Sequence, residues 1–181
     1  SAKHPGGGFR TGARAQEESL CRASALFACL EGDPMYAHHE AHRDPLYTSW
    51  VIYSPLVPVF RGEDHALLEA PWRAAFITAA APNAKVVLER QPARRGEVSR
   101  ALKERVRRVL GIAAGHGHEA LVLGAWGCGV FGNDPAEVAQ LFDEALRGEL
   151  SGRFSRVVFA VLDSSPEQRF LAPFAALATR A

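Results

Sequence analysis

Apolar residues recur at helical spacing near the start of the chain, with gaps of three, four and three positions: Leu20, Ala23, Phe27 and Leu30. This spacing predicts one helix from about Ala13 to Glu31 with those side chains on its buried face. Gly32-Asp33-Pro34 then breaks the repeat. The segment from there to Ser49 has no clean period, so it is predicted to be a long irregular surface loop.

The middle of the chain carries shorter apolar runs that favour strands. Residues 50–54 and 57–61 are two β-rich runs around a Ser-Pro-Leu link, and Pro58 predicts that the second is an edge strand because proline cannot donate to a ladder. The continuous apolar run 74–78 predicts a buried strand that ends in a loop at Pro82-Asn83. Residues 85–95 are ambiguous between a short strand pairing at 86–88 and a solvated loop.

Helical periodicity returns in residues 96–115, where apolar positions recur every three or four residues: Val98, Leu102, Val106, Val109 and Leu110. The basic residues between them are predicted to form the solvated face of this helix, with a polymer-binding stripe as the alternative: Arg100, Lys103, Arg105, Arg107 and Arg108.

The remaining pattern alternates strands with helices. Residues 120–123 predict a buried strand, and Asp134-Pro135 predicts a capped helix start. The core face of that helix is expected to consist of Val138, Leu141, Phe142, Ala145 and Leu146. Residues 156–162 predict the last strand, and a final helix is expected to reach about Thr179.

This alternation indicates an α/β fold with a mostly parallel sheet that carries helices on both faces. Ligands bind such sheets at the carboxyl ends of the strands. With 181 residues and 48% hydrophobic content, the chain is expected to form one domain over residues 1–181. A ligand loop normally follows a strand, and none is predicted before the first glycines, so the domain is expected to be truncated at its N-terminus.

Charge and cysteine content narrow the function classes. The net charge of +1 argues against binding to duplex nucleic acid through a broad positive field. Three cysteines without CxxC spacing fit a reducing compartment better than a disulfide framework. Neither a membrane-spanning apolar run nor a signal-peptide core is recognisable, so a cytoplasmic location is expected.

Candidate chemistry begins with three consecutive glycines, Gly6, Gly7 and Gly8, followed after seven residues by Gln16, Glu17 and Glu18. The glycines allow positive φ and let a ligand lie directly on the backbone. Two adjacent carboxylates suit glycoside cleavage, in which an acid protonates the leaving oxygen and a carboxylate activates water. A plain glycine turn before a Glu-rich helix start is the alternative. The helix dipole lowers a carboxylate pKa, so an acid role for Glu18 requires burial, Glu17 or a bound phosphate to outweigh that effect.

A second glycine-rich loop spans residues 124–133, between a predicted strand and a capped helix. Successive N–H groups and a helix N-terminus predict a phosphate site there, although no Walker sequence follows. Trp126 is interpreted as a core residue. Cys128 is interpreted as a small apolar filler and not as a nucleophile, because no His lies beside it. Both glycine-rich loops are expected on one rim, where a diphosphate with sugars on both sides would fit.

His38, His39 and His42 suggest a metal site, but the spacing lacks one residue of the HExxH pattern and no metal is expected.

The Gly-Gly-Gly and Gln-Glu-Glu motif, at this spacing, resembles the signature of bacterial-type poly(ADP-ribose) glycohydrolases. Three further stretches resemble the same family over almost the whole chain: residues 53–61, 82–84 and 124–135. The resemblance implies a macrodomain-like fold and hydrolysis of ribose–ribose bonds in poly(ADP-ribose) without metal or cofactor. It also implies ADP-ribosylated proteins as partners and a setting in the DNA damage response. A monomer without duplex nucleic-acid or membrane contacts is expected.

The resemblance also implies residue roles. Glu18 is expected to be the general acid and base, while Glu17 and Gln16 hold ribose hydroxyls. Phe131 is expected to pack on the terminal ribose, and Phe170 is a weaker candidate for adenine stacking against the alternative of a core Phe. The expected substrate-binding residues are Gly6, Gly7, Gly8, Gln16, Gly127, Cys128, Gly129, Val130, Phe131, Gly132, Asn133 and Phe170.

Two alternatives remain open. A non-catalytic ADP-ribose reader would use the same cradle, but two carboxylates gain nothing in pure binding of an anion. A hydrolase of mono-ADP-ribose on protein side chains would act on singly modified protein and leave polymer intact.

Overall fold

The computed structural model describes residues 2–178 of the chain, so Thr179, the expected end of the last helix, lies outside the described residues. The described residues group into two compact units. The first comprises residues 2–44 and 50–80, and the second comprises residues 45–49 and 81–178. That the two make one catalytic domain stays a prediction.

The first unit begins with a 3₁₀ turn, Phe9–Thr11, and two short helices, α1 (Gln16–Ala23) and α2 (Leu26–Leu30). The prediction of one helix from Ala13 to Glu31 was therefore wrong. The chain leaves the helical path at Ser24, whose hydroxyl donates to the Leu20 carbonyl over 2.7 Å and accepts from the Leu26 N–H over 3.2 Å. A serine side chain that bonds nearby backbone groups competes with the helix in this way.

The break in the helix changes which side chains are buried. Leu30 is buried as predicted, whereas Leu20 is 38% exposed. Cys21 and Leu26 take its place in the core.

Helix α3 (Pro34–His42) occupies the first part of the segment that was predicted to be an irregular loop, whereas residues 43–49 lie outside any helix or strand, as predicted. Gly32-Asp33-Pro34 separates this helix from α2, as predicted, but it also starts a new helix, which the prediction did not include. Asp33 accepts a hydrogen bond from the Met35 N–H, and Pro34 takes the first helical position, where its missing N–H costs nothing. Met35, Tyr36 and His39 of this helix are buried.

Strands β1 (Val51–Arg61) and β2 (Leu67–Ala79) form an antiparallel pair. The two runs predicted around Ser-Pro-Leu are one strand with a register shift between Ser54 and Val57. Among the described strands β1 pairs with β2 alone, so Pro58 lies on an edge strand as predicted. The run 74–78 lies inside the longer β2, and none of its residues is buried, so that part of the prediction was wrong.

The second unit contains the helices whose sequence patterns are strongest, α5 (Arg95–Gly115) and α6 (Pro135–Arg147), together with α4 (Ala84–Arg90), a 3₁₀ turn (Pro92–Arg94) and α7 (Leu171–Ala178). Both α5 and α6 confirm the predicted helices. The α4 helix replaces both alternatives considered for residues 85–95, because the Asn83 side chain accepts from the Val86 N–H and caps it.

Strands β3 (Ala120–Leu123) and β4 (Arg156–Phe159) pair in parallel in this unit. Leu121, Leu123 and Phe159 pack on the core formed by α5, α6 and α7. The opposite face is open, since Val122 is 73% exposed and Val158 is 38% exposed, so the expectation of a strand buried on both faces was wrong. Strand β4 also ends three residues earlier than predicted.

No helix among the described residues combines the length and the apolar character that crossing a membrane requires.

Candidate functional site

One candidate feature, in the first unit, is the glycine turn before α1. Gly6 and Gly7 adopt φ angles of 65° and 61°, a region that side chains disfavour. A Cβ at Gly6 would lie 2.9 Å from Phe27 Cδ2, so the turn also packs too closely for a larger residue. The Gly8 N–H donates to Glu18 Oε1 over 2.9 Å. The glycine turn and the acidic helix start, ten positions apart, are therefore one structural unit.

Glu18 is the third residue of α1 and is only 8% exposed. Burial acts to raise its pKa, but hydrogen bonds from the backbone N–H groups of Gly8, Glu18 and Ala15 outweigh burial and hold the pKa below its ordinary value. In the ligand-free chain Glu18 is thus a carboxylate at neutral pH. Glu17 is half-buried and Gln16 is exposed at the first two positions of the same helix.

Another candidate feature, in the second unit, is the loop between β3 and α6, which confirms that residues 124–133 lie between a strand and a helix as predicted. Gly127 and Gly132 have φ angles of 74° and 65°. The Asn133 N–H donates to the Gly127 carbonyl over 3.1 Å, and the Gly132 N–H donates to the Gly129 carbonyl over 3.0 Å. These bonds close tight turns within the loop, which ends at Asp134, the N-cap residue of α6.

The buried side chain of Asn133 stabilises this loop through hydrogen bonds. Its side chain is 2% exposed, and Nδ2 donates to the carbonyls of Pro82 and Gly127, each over 2.9 Å. The Lys85 N–H donates to the Phe131 carbonyl over 2.9 Å. The segment 82–85 therefore holds the C-terminal part of the glycine-rich loop.

Three successive amides of the loop point to anion binding. Within residues 2–178, the N–H groups of Gly129, Val130 and Phe131 donate to no acceptor. Val130 is 86% exposed, Gly129 is also exposed and Phe131 is half-buried, so this part of the loop lies at the surface. Consecutive free N–H groups just before a capped helix N-terminus are positive dipoles suited to binding phosphate.

Cys128 is not equipped as a nucleophile, in agreement with the sequence interpretation. It is 2% exposed, and burial, with the nearby charge of Asp134, raises its pKa to about 12. Its N–H donates to the Ala125 carbonyl, so neither the thiol nor the N–H is available to a ligand in this arrangement. Trp126 packs against the core of the second unit, as expected.

Phe170 is partly buried against the same core, with the Arg169 guanidinium 4.8 Å from its ring centroid. Its N–H donates to Asp163 Oδ2 over 2.6 Å. The core interpretation therefore has direct support, and adenine stacking by Phe170 stays a prediction.

Sequence reasoning missed Tyr47 and misplaced Arg105. The Tyr47 ring centroid lies 5.8 Å from that of Phe131, although Tyr47 falls in the segment that was predicted to be loop. Arg105 was predicted on the solvated face of its helix but is 2% exposed, because its Nη2 donates to the Tyr47 carbonyl over 2.9 Å. Neither residue belongs to a motif, and only the fold reveals their relation to Phe131.

Two of the three histidines of α3 bond to backbone carbonyls. His39 Nδ1 lies 2.8 Å from the Ala2 carbonyl, and His42 Nδ1 lies 2.8 Å from that of His38. No group of three or more His, Cys, Asp or Glu side chains within the described ranges is arranged to hold a metal ion.

Comparison with known proteins agrees with these features. Residues 1–62 match the family described as "Microbial-type PARG, catalytic domain", where PARG denotes poly(ADP-ribose) glycohydrolase. No curated protein matched the chain.

Solved structures of two bacterial proteins are similar to nearly the whole chain. Poly(ADP-ribose) glycohydrolase from Deinococcus radiodurans in complex with ADP-ribose is 49% identical, with a TM-score of 0.93 over 99% of this chain and 73% of that one. Poly(ADP-ribose) glycohydrolase from Thermomonospora curvata bound to the inhibitor ADP-HPD is 52% identical, with a TM-score of 0.90 over 97% of this chain and 67% of that one. The predicted α/β fold class is thereby confirmed.

Proposed function

Because the chain belongs to the microbial-type poly(ADP-ribose) glycohydrolase family, we propose that it is a glycosidase that cleaves ribose–ribose O-glycosidic bonds of poly(ADP-ribose) and releases ADP-ribose. The observation that carries this proposal is the hydrogen bond from the Gly8 N–H to Glu18 Oε1. It joins a ligand-accommodating turn to a buried carboxylate, which is what acid-catalysed cleavage of a bound sugar requires.

In this proposal Glu18 protonates the departing ribose oxygen while an oxocarbenium-like transition state forms. The resulting carboxylate then takes a proton from the attacking water, which restores the acid. Glu17 and Gln16 hold ribose hydroxyls beside it, and Gly6–Gly8 let the sugar approach the backbone. No step of this route requires a metal or a cofactor.

The substrate diphosphate is proposed to bind the loop from Gly127 to Asn133. Its negative charge suits the free N–H groups of Gly129, Val130 and Phe131. The Phe131 ring would pack on the terminal ribose, with Phe170 as a candidate for the adenine.

The lowered pKa of Glu18 in the free chain adds a requirement to the mechanism. An acid needs its proton when the glycosidic bond breaks. A bound diphosphate brings negative charge and excludes water, and both effects raise a carboxylate pKa. Substrate binding is therefore proposed to convert Glu18 from carboxylate to acid, so that the acid forms only in the loaded enzyme.

Labelled poly(ADP-ribose) incubated with the protein tests the function directly. The proposal predicts ADP-ribose as product, and the lengths of any remaining fragments show whether cutting is terminal or internal. Binding of polymer without cleavage would identify a reader instead. Activity on singly ADP-ribosylated protein with polymer left intact would identify a mono-ADP-ribosyl hydrolase.

A further inference from the structure

We propose that Arg105 and Tyr47 form a support that sets the orientation of Phe131, which makes Arg105 a positioning residue for ADP-ribose although it lies on a helix outside both motifs. The inference rests on the proposed function for its ligand. The arrangement itself lies entirely within the second unit.

Arg105 is a buried cation with specific partners. It is 2% exposed in α5, between core residues Leu102 and Val106. Burying a guanidinium is costly unless its N–H groups are bonded. Nη2 donates to the Tyr47 carbonyl over 2.9 Å, and Nε lies 3.5 Å from Ser49 Oγ. The guanidinium thus holds residues 45–49 in place through the Tyr47 carbonyl and the Ser49 hydroxyl.

Tyr47 needs such fixing because its backbone is left-handed, with φ at 58°. A non-glycine residue holds this conformation only when its surroundings impose it. The Arg105 bond to its carbonyl is one constraint, and a side-chain hydrogen bond with Asn83 is another. The Asn83 N–H in turn donates to the Pro45 carbonyl over 2.8 Å, which closes the segment.

This fixed backbone aims the Tyr47 ring at Phe131. The two half-buried rings have centroids 5.8 Å apart at an interplanar angle of 34°, within the range of favourable aromatic pairs. The Phe131 carbonyl is held separately by the Lys85 N–H. Main chain and ring of Phe131 therefore have different supports, and the support of the ring is the one that depends on Arg105.

Removing the guanidinium should let Tyr47 relax from its left-handed conformation and leave the Phe131 ring free to turn. Arg105→Lys keeps the charge but not the planar donor set, and Tyr47→Leu removes the aromatic surface. We expect each to raise the KM for polymer and the Kd for ADP-ribose by about tenfold, the equivalent of one hydrogen bond to a charged group. Tyr47→Phe keeps the ring and should change both constants by less than about threefold, because the lost hydrogen bond to Asn83 joins two neutral groups and the bonds from the Arg105 guanidinium remain.

The matched control is Arg108→Lys, an exposed basic residue on the same helix that pairs loosely with Glu104 at 3.7 Å. It should leave KM and Kd unchanged. The double variant Arg105→Lys/Tyr47→Leu should be no worse than Tyr47→Leu alone, since both changes act through one ring. A purely structural role would instead lower the active fraction and reduce apparent kcat with KM and Kd intact. That result, or effects that multiply in the double variant, would overturn the proposal.

Amide NMR spectra of the ligand-free protein keep the inference separate from the proposed function. Arg105→Lys and Tyr47→Leu should shift or broaden the amide signals of Val130, Phe131 and Gly132, and Arg108→Lys should not. Absence of polymer cleavage by the unmodified protein would refute the glycohydrolase proposal while these shifts still support the positioning role. Unshifted loop amides in both variants would refute the positioning role whatever the activity.

Discussion

Replacing Gly127 with alanine tests whether the second glycine-rich loop is built as described. Gly127 adopts φ of 74°, and a Cβ there would lie 2.5 Å from both Ala81 Cβ and Asn133 Nδ2. Carbon atoms normally approach no closer than about 3.5 Å, so both neighbours would have to move by about 1 Å. Asn133 cannot move that far and keep its bonds to Pro82 and Gly127.

The cost has two parts. Left-handed backbone costs alanine about 1 kcal/mol relative to glycine. Overpacking at a tight site adds about 1 to 3 kcal/mol. Strained or broken hydrogen bonds of Asn133 are included in this second part. We expect Gly127→Ala to lower the free energy of unfolding by about 2 to 4 kcal/mol.

Gly152 provides the matched control. It has nearly the same φ, 72°, but a Cβ added there would have no atom within 4 Å, so Gly152→Ala carries the backbone cost alone. Urea unfolding of both variants at neutral pH measures the difference, which should be about 1 to 3 kcal/mol. Gly127→Ala should also weaken ADP-ribose binding at a temperature where it remains folded, and Gly152→Ala should not. Equal losses of stability in the two variants would refute the packing argument.

Further predictions concern the buried polar groups. Asn133→Ala removes the Nδ2 donor of the Pro82 carbonyl and one of the two donors of the Gly127 carbonyl, and it should cost about 1 to 3 kcal/mol by urea unfolding. The exposed amide change Gln140→Ala should cost under about 0.5 kcal/mol, and similar costs would contradict the role of Asn133. Hydrogen bonds to the Asp163 carboxylate, the strongest of them from the Ser165 hydroxyl, lower its pKa to about 2. The stability that Asp163 contributes is therefore present above pH 3.8, the ordinary pKa of the group, and is lost as pH falls from 3.8 to about 2. Asp163→Asn should flatten the fall in thermal stability over that window, and an unchanged slope would exclude the linkage. Glu18 has a lowered pKa too, so Glu18→Gln should remove a loss of stability that begins as pH falls below about 4.5; identical acid profiles would show that its native hydrogen bonds contribute nothing.

Elements with a strong local signal were predictable. Helix α6 has Asp134 as its cap, Pro135 at the first position and an apolar face of regular period, and nothing distant is needed to form it. The role of a short polar residue is harder to predict, because its side chain can bond to nearby backbone groups at a helix start or at a helix break. Ser24 and Asp33 can either cap a helix or interrupt one, and only their partners decide which.

The candidate functional residues likewise include some that could be predicted from the sequence and some that could not. Glu18 and the loop around Phe131 could be found because their residue types and spacing carry chemistry. The role of Arg105 could not be found from the sequence, because a basic residue between apolar positions of an amphipathic helix normally faces water. Its burial depends on the carbonyl of Tyr47, which is 58 positions away in sequence. The pairing of β1 with β2 likewise depends on partners distant in sequence, so the length and the exposure of β2 could not be predicted either.

Turnover of poly(ADP-ribose) by Glu18→Gln, measured together with ADP-ribose affinity, tests the central claim most directly. Glutamine preserves the size of the side chain and its ability to accept from the Gly8 N–H but cannot cycle a proton. If Glu18 is the catalytic acid, ADP-ribose release should fall by at least about a hundredfold, with the Kd for ADP-ribose within a few fold of that of the unmodified protein. Release at a near-normal rate by Glu18→Gln would contradict this role.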